Sequence, residues 1–198
     1  MNRAIVAGVA VLLAVLVLAG LGAGQYNGLV KDQQDVSRSW SQVENVYQRR
    51  ADLVPNLVAV VQGAANFEKN TLTAVAEARA KVGQVAGAEA PTDAGAMQRF
   101  ESAQADLSSA LSRLMVVVEN YPDVKATQNF LDLQTQLAGT ENRIIVERGR
   151  FNETAKAYNT RLQSVPGVWF VKILGWKFEP RPYFASAAGA ETAPPVKM

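Results

Sequence analysis

The stretch VKATQNFLDLQTQLAGTENRIIVERGRFNETAKAYNTRLQ, residues 124–163, contains the pattern that decides the fold. Its seam positions recur at alternating steps of three and four residues, which is typical of a long helix in a coiled coil or a bundle. At about 1.5 Å per residue, such a helix would be ~60 Å long. The seam positions are Phe130, Leu133, Leu137, Glu141, Ile144, Arg148, Phe151, Ala155, Tyr158 and Leu162.

Three earlier runs show the same helical spacing less regularly, and they begin near Tyr26, Phe67 and Phe100. The sequence GAEAPTD at residues 87–93 indicates a loop between the second and third runs. Pro122 disfavours helical geometry at the preceding residue, so the third helix ends just before it and the fourth begins there. No stretch alternates apolar and polar residues as a strand would, so no sheet is expected.

The position of the first break decides how many helices the bundle contains. Asp52 can cap a new helix, and Pro55 would then lie in its first turn, where a missing N–H costs little. The alternative is one kinked helix from Tyr26 to about Val85, ~90 Å long. Matching the helix lengths favours a break at Arg50–Pro55. We therefore predict an all-α fold with an N-terminal transmembrane helix followed by an antiparallel up-down four-helix bundle with long helices.

The N-terminal sequence AIVAGVAVLLAVLVLAGLGAG, residues 4–24, has the length and composition of a membrane span. Residues 4–30 carry no charged side chain, and ~20 apolar residues suffice to cross a hydrocarbon core of ~30 Å. The alternative is a cleaved signal peptide, with the small residues at 19–24 as its exit. The apolar run is longer than the usual signal-peptide core of about 7–15 residues, which favours a retained anchor.

The orientation of the anchor depends on how many Lys and Arg residues lie on each side. Arg3 precedes the apolar run, whereas Lys31 and Arg38 follow it, so the two flanks nearly balance. We expect the anchor in the cell (inner) membrane, with the short N-terminus inside and most of the chain outside the cytoplasm. Gly20 and Gly24 form a G-x-x-x-G spacing, through which two spanning helices can pair.

The segment VPGVWFVKILGWKFEPRPYF, residues 165–184, is rich in aromatic residues with interleaved Lys and Arg. In an up-down bundle, the fourth helix returns this segment to the membrane. Either it lies on the membrane surface, where Trp and Lys favour the headgroup layer, or its aromatics close the open end of the bundle. The candidate membrane-interface residues are Trp169, Phe170, Lys172, Trp176, Lys177 and Phe178.

Charged residues interrupt the apolar seams. Glu141 and Arg148 occupy seam positions of the fourth helix, and Arg49 and Arg50 flank the predicted first break. A buried ion loses several kcal/mol of hydration and therefore needs a partner. We predict a structural polar layer that joins Glu141 to Arg49 or Arg50 and fixes the register of the helices. The other interpretation of these residues is a ligand pocket.

The composition excludes several classes of site. The chain has no Cys and no His, so it contains no disulfide, thiol nucleophile, Cys or His metal site, or imidazole base. No Gly-rich phosphate loop or acidic metal-binding motif occurs. We predict no catalytic residue, no cofactor and no metal. The net charge of +2, with acids and bases interspersed, does not indicate nucleic-acid binding.

Three parts of the sequence carry a family resemblance. They are YNGLVKDQQDVSRSWSQVENVYQRRADLVPNLV at residues 26–58, ENYPDVKATQNFLDLQTQLAGTENRIIVERGRFNETAKAYN at residues 119–159, and residues 166–184. In these residues the chain resembles the LemA family of bacterial membrane proteins. The resemblance implies an N-terminal membrane anchor and an antiparallel four-helix bundle. It implies no reaction, since the family has no established catalytic residues to carry over.

These features divide the chain into a transmembrane anchor (1–24), a LemA-like helical bundle (25–164), the aromatic and basic segment (165–184) and a disordered tail (185–198). The predicted function is that of a non-enzymatic single-pass membrane protein, a helical scaffold or interaction module. Its expected partners are membrane lipid and either further copies of itself, as a homo-oligomer, or other membrane proteins. The alternative is a membrane-tethered ligand-binding or sensing module around Glu141; an enzyme acting through carboxylates is disfavoured.

Overall fold

The first helix, α1, continues from the apolar N-terminal region deep into the bundle. In the computed structural model, which describes residues 3–63, 67–87 and 89–185, it runs unbroken over 60 residues, Arg3–Gln62. The predicted all-α class and the apolar N-terminal helix are confirmed for this part of the chain. The predicted break at Arg50–Pro55 is wrong, because Pro55 lies inside α1. The predicted boundary after residue 24 also falls within α1.

Pro55 is accommodated because another helix satisfies the backbone group that it leaves unpaired. A proline inside a helix cannot donate to the carbonyl four residues earlier, and it costs about 3 kcal/mol or more. That carbonyl belongs to Ala51, and it accepts a hydrogen bond of 3.0 Å from the Nε of Arg79. Arg79 therefore supplies, from the second helix, the donor that Pro55 lacks.

This arrangement gives a testable coupling between the two residues. We expect Arg79→Ala to lower the free energy of unfolding by about 1–3 kcal/mol, because the Ala51 carbonyl loses its donor. In a Pro55→Ala background, the restored amide of residue 55 can donate to the Ala51 carbonyl. Arg79→Ala should then lower the free energy of unfolding by clearly less. Denaturant unfolding of the full chain in detergent would measure the double-mutant cycle, with Lys81→Ala as the control. Equal costs in the two backgrounds would contradict this role of Arg79.

Five shorter helices follow α1 in the described chain. Pro122 begins a single separate helical turn and not the long fourth helix. The long helix starts after Thr127, its N-cap, whose hydroxyl accepts a hydrogen bond from the amide of Phe130. Asp93 caps the third helix by accepting from the amide of Ala96 at 2.8 Å. The helices are α2 (Lys69–Val85), α3 (Ala94–Val118), α4 (Pro122–Lys125), α5 (Gln128–Gln163) and α6 (Gly167–Leu174).

Helix α5 lies antiparallel to α1 along most of its length. The two helices are joined in the middle by Arg50 and Glu141, and nearer the anchor by Asp32 and Arg161, whose Oδ2 and Nε are 2.7 Å apart. Gly28 makes this second pair possible, because a Cβ at that position would overlap the guanidinium of Arg161. Helix α2 packs against the half of this pair that is farther from the anchor, and α3 contributes to both halves. The antiparallel packing of α1 and α5 is the arrangement that the predicted bundle requires of its first and last helices.

The core has two parts. The distal core is mainly aliphatic and draws on α1, α2, α3, α4 and α5. The aromatic core lies nearer the anchor, and its rings are mostly arranged edge to face, with the centroids of Trp40 and Phe100 5.0 Å apart. Such pairs add about 0.5–1.5 kcal/mol beyond their buried area. The buried rings of the aromatic core are Trp40, Tyr47, Phe100, Phe151, Tyr158 and Phe184.

The chain after α6 forms an extended segment, residues 176–185, which runs back along α5. Two asparagines of α5 hold its backbone. The side chain of Asn159 accepts from the amide of Arg181 and donates to its carbonyl, both at 2.8 Å. Asn152 does the same with Phe184, at 2.9 and 3.1 Å. The predicted disordered tail, apart from Ala185, lies outside the described residues.

Candidate functional site

The polar cluster in the middle of the bundle is centred on Arg50, which is only 2% exposed. Its Nη1 donates to the hydroxyl of Ser108 at 2.8 Å and to Oε2 of Glu141 at 3.1 Å. Its Nη2 donates to both the side-chain and the backbone carbonyl of Gln104. One guanidinium therefore links three helices, α1, α3 and α5, at a single level of the bundle.

The sequence places Arg50 inward because it continues the apolar seam of α1. Tyr47, Arg50, Val54 and Leu57 follow one another at steps of three and four residues, and all four are buried. The neighbouring Arg49 lies on the opposite side of this seam and is exposed. Of the two arginines considered for the polar layer, the structure therefore brings Arg50 to Glu141 and leaves Arg49 at the surface.

Glu141 is less buried than its position on the seam predicted, since its side chain is 52% exposed. The Arg50–Glu141 ion pair therefore has one buried partner, Arg50, and one partner that is half exposed to solvent. A cleft with a volume of about 340 Å³ opens beside it. The cleft is lined by Arg50, Ser108, Leu111, Ser112, Met115, Gln134, Leu137, Ala138 and Glu141.

The ring of Tyr47 forms the other side of the polar cluster. The guanidinium carbon of Arg50 lies 5.1 Å from the centre of this ring, a cation–π contact. Burial raises the pKa of the Tyr47 phenol above its ordinary value, and the positive charges of Arg148 and Arg50 offset part of that rise. The phenol therefore stays neutral, and the ring serves as a packing partner for the cation.

Arg148, the other charged seam residue, has different partners from those expected for a single layer. Its Nη2 donates to Oε1 of Glu101 at 3.0 Å and to the carbonyl of Ala185 at 2.9 Å. Its guanidinium carbon also lies 4.7 Å from the centre of the Phe184 ring. Arg148 therefore forms a second polar contact, which fastens the extended C-terminal segment to α3 and α5.

The segment at residues 165–184 packs beside the point where α1 becomes polar. A Cβ on Gly22 would lie 3.2 Å from the ring of Phe170, so the two are in close contact. The rings of Trp176 and Phe178 lie 5.1 and 5.6 Å from that of Tyr26. Of the six candidate interface residues, these three are half-buried against the bundle, and the exposed ones are Trp169, Lys172 and Lys177.

The chemistry of the polar cluster is that of charge neutralisation. The hydroxyl of Ser108 accepts from Arg50, and the carboxylate of Glu141 is paired with the same guanidinium. An activated nucleophile needs an adjacent base, a role that a carboxylate held in an ion pair is poorly suited to fill. Among the described residues, no group of three or more acidic, His or Cys side chains is placed to hold a metal ion.

Sequence reasoning missed three of the residues that hold the C-terminal segment, namely Glu101, Asn152 and Asn159. One signal was present, because Asn152 and Asn159 are seven residues apart and therefore lie on the same face of α5. Two carboxamides on one face of a helix can hold an extended backbone segment, because each offers both donors and an acceptor. Phe184 belongs to the aromatic segment for which packing on the bundle was one of two interpretations, but no periodicity distinguished it from the other rings.

Comparison with known proteins gives a consistent family match. A family model described as the LemA family matches residues 39–198. Magnetosome protein MamQ of Magnetospirillum gryphiswaldense is 29% identical over 171 residues, which cover 77% of this chain and 62% of that protein. Protein LemA of Metamycoplasma hominis is 24% identical over 139 residues, or 70% and 60% of the two chains. The chain thus spans about three fifths of the length of these relatives.

Proposed function

Because the chain belongs to the LemA family and the names of its relatives denote no enzyme, we propose that it is a non-enzymatic, single-pass membrane scaffold. In this proposal, α1 anchors the chain in the cell membrane and carries the bundle outside the cytoplasm. The bundle presents its surface to other copies of the chain or to other membrane proteins.

The observation that carries this proposal is the continuity of α1. Its most apolar 18-residue window has a mean hydropathy of 2.9, and none of that window is buried against the rest of the protein. The same helix continues without interruption to Gln62 and contributes to both cores of the bundle. A continuous helix of this kind would hold the bundle at a fixed position and orientation relative to the bilayer, as a scaffold requires.

The packing around Gly22 supports retention of the anchor over its cleavage. Phe170 lies against Gly22, and Trp176 and Phe178 lie against Tyr26. Cleavage after residue 24 would remove the surface on which Phe170 packs. The anchor is therefore part of the folded unit in this proposal.

Self-association is supported by the face of α1 that the bundle leaves open. Half a helical turn separates Gly22, which contacts Phe170, from Gly20 and Gly24. A Cβ at either of these two glycines would meet no atom within 4 Å. Two anchors can therefore approach through Gly20 and Gly24 without displacing α6.

Disulfide crosslinking tests this part of the proposal, because the chain has no native cysteine. With the full chain in native membranes, Gly24→Cys should give a covalent dimer on mild oxidation. Leu18→Cys, about 120° around the same helix from Gly24, should give far less. Equal yields would contradict pairing through this face.

Affinity purification from detergent-solubilised membranes should then recover another membrane protein, and recovery of monomer alone would reject the scaffold.

A ligand-binding or sensing module is the second candidate, and the cleft beside Arg50 and Glu141 favours it. Native mass spectrometry of the chain purified from membranes would distinguish the two functions. A bound small molecule that is lost in Ala138→Trp, which fills the cleft, would support sensing. A scaffold should carry no such molecule and should keep its protein partners in the Ala138→Trp variant.

A further inference from the structure

Helix α6 has one face without a protein partner in the described chain. Val165, Trp169 and Ile173 follow one another at steps of four residues along the outer face of α6 and the residues before it. All three are exposed, Ile173 to 79%. The opposite face is the one that packs, through Gly167, Phe170 and Val171. A contiguous exposed patch of large apolar side chains normally marks an interaction surface.

The position of α6 along α1 indicates what covers this face. About 20 residues cross the hydrocarbon core, so a span that starts at Ala4 ends near residue 23. Gly167 lies close to Gln25, and Phe170 lies against Gly22. Helix α6 therefore advances along α1 towards the anchor, and its last residues reach the level at which α1 enters the hydrocarbon.

The side chains around the patch are those favoured at a lipid–water boundary. Trp169 has an apolar ring and a polar N–H, a combination enriched in the headgroup layer. Lys172 and Lys177 are exposed on either side of the Gly175 turn, with Glu179 the nearby acid in the sequence. Lysines with long apolar stems can extend their amino groups towards anionic headgroups.

We propose that α6 and the turn at Gly175 form a second membrane contact, an interfacial helix that inserts its outer face into the leaflet from which α1 emerges. Its partner is the lipid bilayer, with anionic headgroups at the two lysines. This inference rests on the anchoring of α1 in the proposed function. The bundle is then held at two points of one membrane surface. Two contacts fix its tilt and its rotation as well as its distance from the membrane.

Site-specific fluorescence tests this contact, because a chain without cysteine can be labelled at any single position. Ile173→Cys would carry an environment-sensitive NBD probe in the full chain, reconstituted into vesicles of phosphatidylcholine and phosphatidylglycerol. Ile145→Cys is the matched control, an exposed isoleucine (65%) on α5, four residues after Glu141 and near the middle of the bundle. We expect the probe at 173 to shift to shorter wavelength and to lose most of its emission with brominated lipid chains, while the probe at 145 does neither.

The outcomes separate this inference from the proposed function. If the chain floats with the vesicles but the probe at 173 is quenched no more than the probe at 145, α6 does not contact lipid and the inference is wrong. A wavelength shift without quenching by brominated lipid would show that another protein surface covers α6, and would also overturn it. If the chain does not float with the vesicles, the membrane anchoring of the proposed function fails.

Discussion

Replacing Arg50 by Ala is expected to lower the free energy of unfolding by about 3–5 kcal/mol, one of the largest effects of any single substitution in this bundle. The substitution leaves a cavity where three helices meet. It also leaves the two carbonyls of buried Gln104 and the hydroxyl of Ser108 without their donor. Denaturant unfolding of the full chain in detergent, followed by circular dichroism, would measure this change.

The adjacent arginine provides a closely matched control. Arg49→Ala removes the same side chain from an exposed position and should change the free energy of unfolding by no more than about 0.5 kcal/mol. Arg50→Met keeps much of the volume and removes the charge. Because Met fills much of the cavity that Ala would leave, Arg50→Met should lower the free energy of unfolding by less than Arg50→Ala. Similar costs for Arg49→Ala and Arg50→Ala would show that the polar cluster does not hold the helices together.

Replacing Phe184 by Ala is also expected to lower the free energy of unfolding by about 3–5 kcal/mol. Phe184 is 4% exposed, and its ring contacts Trp40, Phe100 and Phe151. Its removal opens a cavity in the aromatic core and takes away the ring beneath the guanidinium of Arg148. Because Trp40 borders the cavity, the tryptophan emission of the folded chain should also change.

A substitution of Tyr183 tests why Phe184→Ala lowers the stability. The cause is either the loss of a buried ring or a weaker attachment of the C-terminal segment to α5. It precedes Phe184 in the same extended segment but is 47% exposed, and its hydroxyl accepts one hydrogen bond from Asn159. Tyr183→Ala should therefore cost about 0.5–1.5 kcal/mol, the value of a typical hydrogen bond. If both substitutions cost the same, the Phe184 ring does not contribute through the core.

The long helices could be predicted from sequence because their apolar spacing is local information. The seam of residues 130–162 predicted α5, and its polar interruptions, Glu141 and Arg148, identified the helix positions at which ionic contacts occur. The choice between Arg49 and Arg50 was also present in the sequence. Extending the seam from Tyr47 through Arg50 to Val54 and Leu57 selects Arg50, but the assumed break at this point hid that continuity.

The features that could not be predicted depend on contacts between distant parts of the chain. Pro55 breaks helices in most contexts, and only the donor from Arg79 on α2 explains its place inside α1. The extended segment at 176–185 has no periodicity of its own, because α5 supplies its hydrogen bonds through Asn152 and Asn159. Tertiary contacts of this kind override local propensity, and no window of sequence contains them.

If a single rigid helix joins the membrane anchor to the bundle, the distance between two positions on α1 is fixed by helix geometry. Spin labels would be placed at Gly24→Cys and Asn56→Cys, both at exposed positions. The full labelled chain would be reconstituted into lipid nanodiscs with an excess of unlabelled chain, so that only distances within one chain are measured. For 32 residues at about 1.5 Å each, an unbroken helix predicts one narrow distance distribution near ~48 Å by double electron–electron resonance. A broad distribution, or one centred well below this distance, would show a hinge between anchor and bundle and would contradict the account.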